Sequence, residues 1–337
     1  MDYLFNAFGH IKSIRAWAKQ NNAKFSICMD TFKLRISAAG KSYELIPRFI
    51  IRTANKLAYT HAYLESGFNF VGWLPYELKR WPLASDKITF KDFCRRHGLR
   101  APRYSIPNEE PPELENFIVK QRQGSFGQYM KGPFRASDIP MEKVAIATDE
   151  YFDEYIFGRS TKIWYWGAQA TAMESLDPPF IIADGIHSLK EIADSRRGSF
   201  DKSYSLDSSA SMLAWQGWSA ASIPPKDERI YLDYKHSTAY DRPTLQMRND
   251  LPDQSEALKA ELRRIGNILI SAVPEPTRHL CMFTLDAILD DQDRLWLLEM
   301  NSHPMVHASV YPAMLDEMFY RETNNKASPH PGSSPLR

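Results

Sequence analysis

LCMFTLDAILDDQDRLWLLEMN, residues 280–301, is the stretch whose reading decides this chain. Two apolar runs flank Asp290-Asp291-Gln292-Asp293, so they read as two strands joined by a polar turn. Asp286 lies near the end of the first run, and Glu299 and Asn301 alternate on the returning one. A period of two puts Glu299 and Asn301 on one face. Leu285, Ala287, Leu297, Leu298 and Met300 surround them, and an unpaired carboxylate in such dry company is expensive. A divalent cation would remove that cost. Three oxygen ligands with open positions suit magnesium, which shares its shell among carboxylates, water and phosphates. A strand-ending Asp286 and a Glu299 paired with a nearby Lys or Arg account for the same residues without a metal.

Upstream of the hairpin, Leu258, Leu262, Ile265, Ile268 and Leu269 recur at helical spacing, and Pro274 and Pro276 close that segment. The spacing predicts a helix over 253–272. Strands are expected at 151–156, 161–166, 180–182 and 229–234, with Gly or Pro punctuating the gaps. Phe117-Ile118-Val119-Lys120 is a short apolar run before Gly124-Ser125-Phe126-Gly127. There a strand delivers a cation, and a glycine loop can offer backbone N–H groups to a phosphate. A plain hairpin turn explains the two glycines as well, and neither a P-loop nor a dinucleotide fingerprint is present. Residues 87–97 carry Ile88, Phe90 and Phe93 among polar ones before Gly98 and Pro102, the pattern of a helix ending at Gly98. The first eighty residues mix an amphipathic start at Ile11 to Lys19 with short apolar runs such as 25–29, which suits a small α/β lobe.

At 337 residues the chain exceeds the usual domain size, so packed subdomains sharing a cleft are expected. With 42 Lys+Arg against 41 Asp+Glu there is no global field to gather nucleic acid or an anionic membrane; a phosphate must be held locally. Three cysteines without close spacing argue against a disulfide framework or a thiolate zinc site. No basic start with an apolar run opens the sequence, and no apolar stretch is long enough to span a bilayer. The reading is a cytoplasmic protein without nucleic-acid or membrane partners.

Read in order, Lys87, Lys120 with its glycine loop, Asp153-Glu154-Tyr155-Ile156-x-Gly158, Asp286 and Glu299-x-Asn301 resemble the ATP-grasp superfamily, over roughly residues 85–312. Within it the chain is most similar to the group of D-alanine–D-alanine ligases, cyanophycin synthetases and bifunctional glutathione synthetases. Asp86-Lys87 with Gly98-Leu99-Arg100-Ala101-Pro102, Ala183-Asp184-Gly185 with Ser188-Leu189-Lys190-Glu191-Ile192, and Glu299-Met300-Asn301-Ser302-His303-Pro304 with His307 carry that closer likeness.

The resemblance implies an α+β fold: two lobes gripping ATP over residues 85–320, divided near 155, after a small α/β lobe at 1–84. A Ser/Pro-rich tail from 321 is expected to be disordered. It implies ATP and Mg2+ as cofactors. Lys87 and Lys120 would meet the phosphates, and Gly124, Ser125 and Gly127 would close over them. Asp153, Glu154, Tyr155 and Ile156 would form the adenine hinge, and Asp286, Glu299 and Asn301 would hold magnesium. The implied reaction joins a small-molecule carboxylate and an amine through an acyl phosphate, in a chain that could be a homodimer. A carboxylate–thiol ligase, a kinase or a noncatalytic ATP-binding module are the alternatives.

The chain also departs from the family. Ser160 stands where relatives commonly carry a ribose-binding carboxylate, and Phe283-Thr284-Leu285 stands where some carry an arginine before the metal-binding aspartate. Another cation must steady the acyl-transfer oxyanion, with Lys235, Arg242 and Arg248 as candidates. A solvated charged loop is the plainer reading of that segment. His307 is read as a substrate contact, and Trp164-Tyr165-Trp166 as core and lobe-interface packing.

Overall fold

The computed structural model describes residues 2–53, 56–62, 68–106, 113–123, 130–195, 205–235 and 248–321. The N-terminal lobe is one helix, α1 (Asp2–Gln20), and five strands: β1 (Lys24–Ile27), β2 (Leu34–Ala38), β3 (Lys41–Thr53), β4 (Lys56–Thr60) and β5 (Phe68–Leu74). Every pairing among them is antiparallel, and β3 pairs with β2, β4 and β5. The expected α/β lobe is thus a helix set against an antiparallel sheet. Its strand connections are too short for parallel crossovers, which need about a dozen residues. The connection between β2 and β3 is Ala39-Gly40, both left-handed at φ 50° and 72°. Two successive positive φ values match the twist of a hairpin.

The helix read from the 87–97 pattern is α2 (Lys87–Arg96). The Asp86 carboxylate accepts the Thr89 N–H at 2.8 Å and starts it, as an N-cap should; Gly98, at φ 61°, follows its end. A small antiparallel sheet comes next: β6 (Tyr104–Ser105), β7 (Asn116–Gln121), β8 (Lys131–Arg135) and β9 (Glu150–Glu154), in the order β6-β9-β7-β8. Its core is Leu114, Phe117, Val119, Met141 and Phe152.

The larger lobe is built on β10 (Arg159–Trp166) and β11 (Gln169–Leu176). After them come β12 (Phe180–Ile182), α3 (Leu189–Ser195), α4 (Ala210–Trp215) and β13 (Arg229–Tyr231), then α5 (Glu256–Ala272) and α6 (Glu275–Arg278). The hairpin is β14 (Met282–Leu289) and β15 (Leu295–Asn301), and α7 (Val310–Tyr320) follows. The central sheet is antiparallel in the order β11-β10-β14-β15. Alternation along these strands sorts the side chains. Ile163, Tyr165, Met173, Phe283, Leu285 and Met300 face α2 and α5, whose Phe90, Phe93, Leu262, Ile265 and Leu269 complete that core.

A second core joins the two ends of the chain. Ile14 and Trp17 of α1, Leu34, Leu45 and Phe70 of the N-terminal sheet, Trp164 and Trp166 of β10, and Val310, Tyr311, Met314 and Phe319 of α7 form one cluster. The aromatic run 164–166 packs as read: Trp164 Nε1 donates to the Met305 carbonyl, Trp166 Nε1 to Glu317, and the Tyr165 hydroxyl to the Leu262 carbonyl. Gly72 is required where β5 meets the loop after β15. Its φ is 121°, and a Cβ there would lie 2.4 Å from the Val306 Cβ.

Candidate active site

The sheets and the N-terminal lobe enclose a cavity of about 900 Å³, at the upper end of ordinary ligand sites. Its floor is a charged rung across the central sheet. Glu174 on β11 pairs in register with Lys162 on β10, Lys162 with Asp286 on β14, and Asp286 with Glu299 on β15. Cross-strand partners point to the same face, so the four charges share one surface. Asn301 lies two residues beyond Glu299, and its Nδ2 donates to Asp286 Oδ2 at 3.1 Å.

Each hairpin carboxylate also holds a lysine. Lys162 Nζ is 2.6 Å from Asp286 Oδ1, and Lys87 Nζ, from the first turn of α2, is 2.9 Å from Glu299 Oε2. Glu299 is thus paired with a lysine, as the metal-free reading of the hairpin has it, whereas Asp286 lies inside β14 and does not end the strand. Burial pushes the Glu299 carboxyl up; Lys87 draws it back, Asp286 adds to the rise, and the balance stays above the ordinary value. Burial alone would lower the Lys162 ammonium, but Asp286, then Glu299 and Tyr59, hold it above its usual range.

Two carboxylates and an amide oxygen brought together on a partly dry floor form a donor set that would fit Mg2+. Among the described residues no three His, Cys, Asp or Glu side chains group closely enough to hold a metal by themselves. The protein shell is thus a partial one, of the kind magnesium completes with water and phosphate.

At the other end of the cavity stand Ile118, Lys120, Met130, Glu154, Tyr155, Ile156 and Ser160. Asp153 is fully buried, and its carboxylate takes Lys91 Nζ at 2.7 Å and Lys120 Nζ at 2.8 Å. Asp153 therefore does not offer its side chain to a ligand; it anchors Lys120, which is itself buried and lines the cavity. The Glu154 carboxylate is also engaged, accepting from the Arg103 backbone N–H at 2.9 Å and its guanidinium Nη2 at 2.9 Å. Just past the end of β9, Tyr155 and Ile156 line the cavity beside Glu154.

Lys235 lines the cavity, and its backbone N–H donates to the Asp233 carboxylate at 3.2 Å. Arg248 is ion-paired with Asp250 and is not among the cavity-lining residues, so the fold does not bring it to the site. Gly124, Ser125, Gly127 and Arg242 lie outside the described residues, as does the tail beyond 321.

Two buried imidazoles line the wall toward the N-terminal lobe. The Tyr311 hydroxyl accepts the Trp73 N–H at 2.9 Å and stands 2.8 Å from His10 Nδ1. The imidazole tautomer sets which of the two donates in that second bond, since the hydroxyl has a further lone pair as well as a proton. His307 Nδ1 accepts the Ser309 N–H at 3.1 Å, so its ring proton sits on Nε2, 3.9 Å from Glu174 Oε1. Burial, with His307 nearby, drives His10 down to about 3.

Lys162 and Glu174 were missed by the sequence reading, although they stand on the floor of the site. A lysine at the head of the apolar run Ile163-Trp164-Tyr165-Trp166 is the available signal. Only the register of three strands makes it a partner of Asp286.

Two antiparallel α+β lobes thus face one cleft, with lysines from one and paired carboxylates from the other. Residues 236–323 match the family model described as YheC/D like ATP-grasp. No curated protein matches the chain. Among solved structures, a bifunctional glutathione synthetase from Pasteurella multocida is similar at 15% identity and a TM-score of 0.42, covering 91% of this chain and 43% of that one. A D-alanine–D-alanine ligase from Bacillus anthracis aligns at 15% identity and 0.35, over 71% and 64%. An L-amino acid ligase from Bacillus licheniformis aligns at 10% and 0.35, over 69% and 43%. This chain thus spans less than two thirds of each of these proteins, and at these scores the likeness speaks to neither substrate nor mechanism. No helix among the described residues is long and apolar enough to cross a membrane.

Proposed function

We propose that this chain is an ATP-dependent carboxylate–amine ligase that activates a small-molecule acid as an acyl phosphate and releases ADP. The observation that carries the reading is the rung of Lys162, Asp286 and Glu299, with Lys87 and Asn301 completing it, on the floor of a cavity that ends at the β9 hinge. Asp286, Glu299 and Asn301 would hold magnesium, which when bound neutralises phosphate charge and orients the transferring group. Lys120, fixed by Asp153, and Lys87 would hold phosphate oxygens. Ile118, Ile156 and the β9 backbone would take the base.

A substrate carboxylate oxygen attacks the γ-phosphorus, and the bond to the β-phosphate oxygen breaks as ADP leaves. An amine nitrogen then attacks the acyl carbon, loses a proton, and expels inorganic phosphate. No nucleophile from the protein is needed, so positioning and charge do the catalytic work. Lys162 is suited to the cationic role that Thr284 cannot fill, since it reaches the same rung from β10. Lys235 is a second candidate for meeting the substrate.

The test is ADP release from Mg-ATP against amino acids and dipeptides offered singly and in pairs, with mass spectrometry of each positive reaction. Release that requires two substrates and yields their summed mass less water is expected. Lys162→Ala should lower turnover about 100-fold or more, in the range seen for a lost transition-state charge. Substrate-dependent release persisting at full rate in Glu299→Gln would sink the reading.

The lysine pairings of Asp286 and Glu299 favour a second reading, an ATP-binding module without turnover. Tight nucleotide binding with no release for any acid would select it.

A further inference from the structure

Where the N-terminal lobe closes the cavity, the lining residues are Tyr59, Arg80 and His303, with Arg48 behind them. Arg48 is 1% exposed. Its Nη1 donates to the Pro304 carbonyl at 2.8 Å and its Nη2 to the Glu77 carbonyl at 3.3 Å, while Nε has no partner. No carboxylate lies within ion-pair distance of it among the described residues. Other buried cations of this chain are treated differently: Lys91 and Lys120 share Asp153, and Lys162 holds Asp286. A buried charge without a counter-ion is costly, so fold stability alone does not account for it.

The surroundings of Arg48 add positive charge and no negative charge. Its guanidinium lies 5.9 Å from the centre of the Tyr59 ring, which packs 4.6 Å from the His303 ring; His61 stands 6.0 Å from His303. Arg80 lines the same end of the cavity, so two guanidinium charges stand there. The His303 Nδ1 is also buried without a partner. Tyr59 is within electrostatic reach of Lys162 and Asp286 as well as of Arg48, so this end and the charged rung are separated by little more than one side chain.

We infer that Arg48, Arg80, Tyr59 and His303 form a docking site for an anionic group, a carboxylate or a phosphate, on the small molecule whose other end reaches the rung. The guanidinium fork suits either group. The assignment of that molecule as the ligase's acid substrate rests on the function proposed above. The anion site itself does not, because it needs no nucleotide chemistry. The substrate class is then a short molecule with two anionic ends, one reacting and one held.

Calorimetric titration of the full chain with glutarate, inorganic phosphate and the neutral glutaramide tests this. Binding of glutarate or phosphate, with none for glutaramide, is expected, and which anion binds distinguishes the two sources. Arg80→Ala should weaken that binding about tenfold or more, and Arg80→Lys should restore part of it. Arg80 is exposed, so its variants should fold; Arg48→Met, with folding checked by circular dichroism, probes the buried partner. No heat from either anion overturns the inference. So does equal affinity in wild type and Arg80→Ala, which would put the anion at the lysines of the nucleotide end. Arg80-dependent binding without any ADP release keeps the anion site and removes the ligase reading; ADP release with Arg80-independent binding does the reverse.

Discussion

Glu299 stands opposite Asp286 on a buried rung, and the balance of burial, Lys87 and Asp286 leaves its carboxyl above the ordinary range. The native state therefore holds that proton more tightly than the unfolded chain does. Its contribution to stability is greatest below the ordinary glutamate pKa and is lost as pH rises through the raised one. At neutral pH the ionised carboxylate is a liability to the fold that is kept for what it can bind. Glu299→Gln should raise the melting temperature by about 2 °C, the equivalent of roughly 1 kcal/mol in a chain of this size. Added Mg2+ should stabilise the wild type and leave the variant unmoved. A variant less stable than wild type at pH 7, or one that magnesium still stabilises, would show that Glu299 is held mainly for its pair with Lys87. The same scale shows what was legible in the sequence. Asp286, Glu299 and Asn301 could be read because a period of two and a polar turn bring them together within one hairpin. Lys162, Glu174 and Tyr59 reach the cavity, and Arg48 stands behind it, only through the pairing of β10 with β14 more than a hundred residues on or through a separate lobe, and no local pattern encodes that. Asp153 was placed in the right strand but given to the nucleotide, because its two buried lysine partners lie on α2 and β7.

Elements were readable to the degree that their own periodicity formed them. The helices α2 and α5 carry capping residues, Asp86 and Ser255, and apolar faces at helical spacing, and the sequence places both. β2 alternates cleanly, but the order of the N-terminal sheet is set by β3, which pairs with three other strands, so this lobe is the least legible region. Its junction with the site is a backbone contact: the Val306 N–H donates to the Val71 carbonyl at 2.9 Å beside Gly72. Gly72→Ala adds a Cβ both into a strained φ and into Val306, so it should cost about 2–4 kcal/mol. Gly40→Ala is the control, since a Cβ there meets nothing within 4 Å although φ is 72°; it should cost only the turn strain, about 1 kcal/mol. Urea midpoints of the two variants decide the matter. Equal losses would mean that close packing of β5 against the loop after β15 adds nothing beyond local strain.

At the scale of the whole molecule, the chain is closed by its two ends. His10 on α1 hydrogen-bonds to Tyr311 on α7, which also takes the Trp73 N–H of β5; Trp17 Nε1 donates to Asp316 at 2.8 Å in the same contact. This closure is the outer wall of the cavity, so whatever loosens it opens the site. His10 is pushed down to about 3, against about 6.5 for an unfolded histidine. Above pH 6.5 neither state binds the proton, and the closure stands at full strength. As pH falls below 6.5 the unfolded chain takes up a proton that the native state refuses, so stability is lost progressively down to about pH 3. One proton corresponds to about 1.4 kcal/mol per pH unit, and so to about 2 kcal/mol between pH 6.5 and 5. His10→Gln keeps a polar group near Tyr311 and cannot titrate. Urea unfolding of both proteins at pH 7, 6 and 5 should therefore give curves that converge as pH falls, with the variant less stable at pH 7 and losing less on acidification. Parallel curves would mean that His10 is protonated in the folded protein and that the Tyr311 hydroxyl, not the imidazole, accepts in that bond.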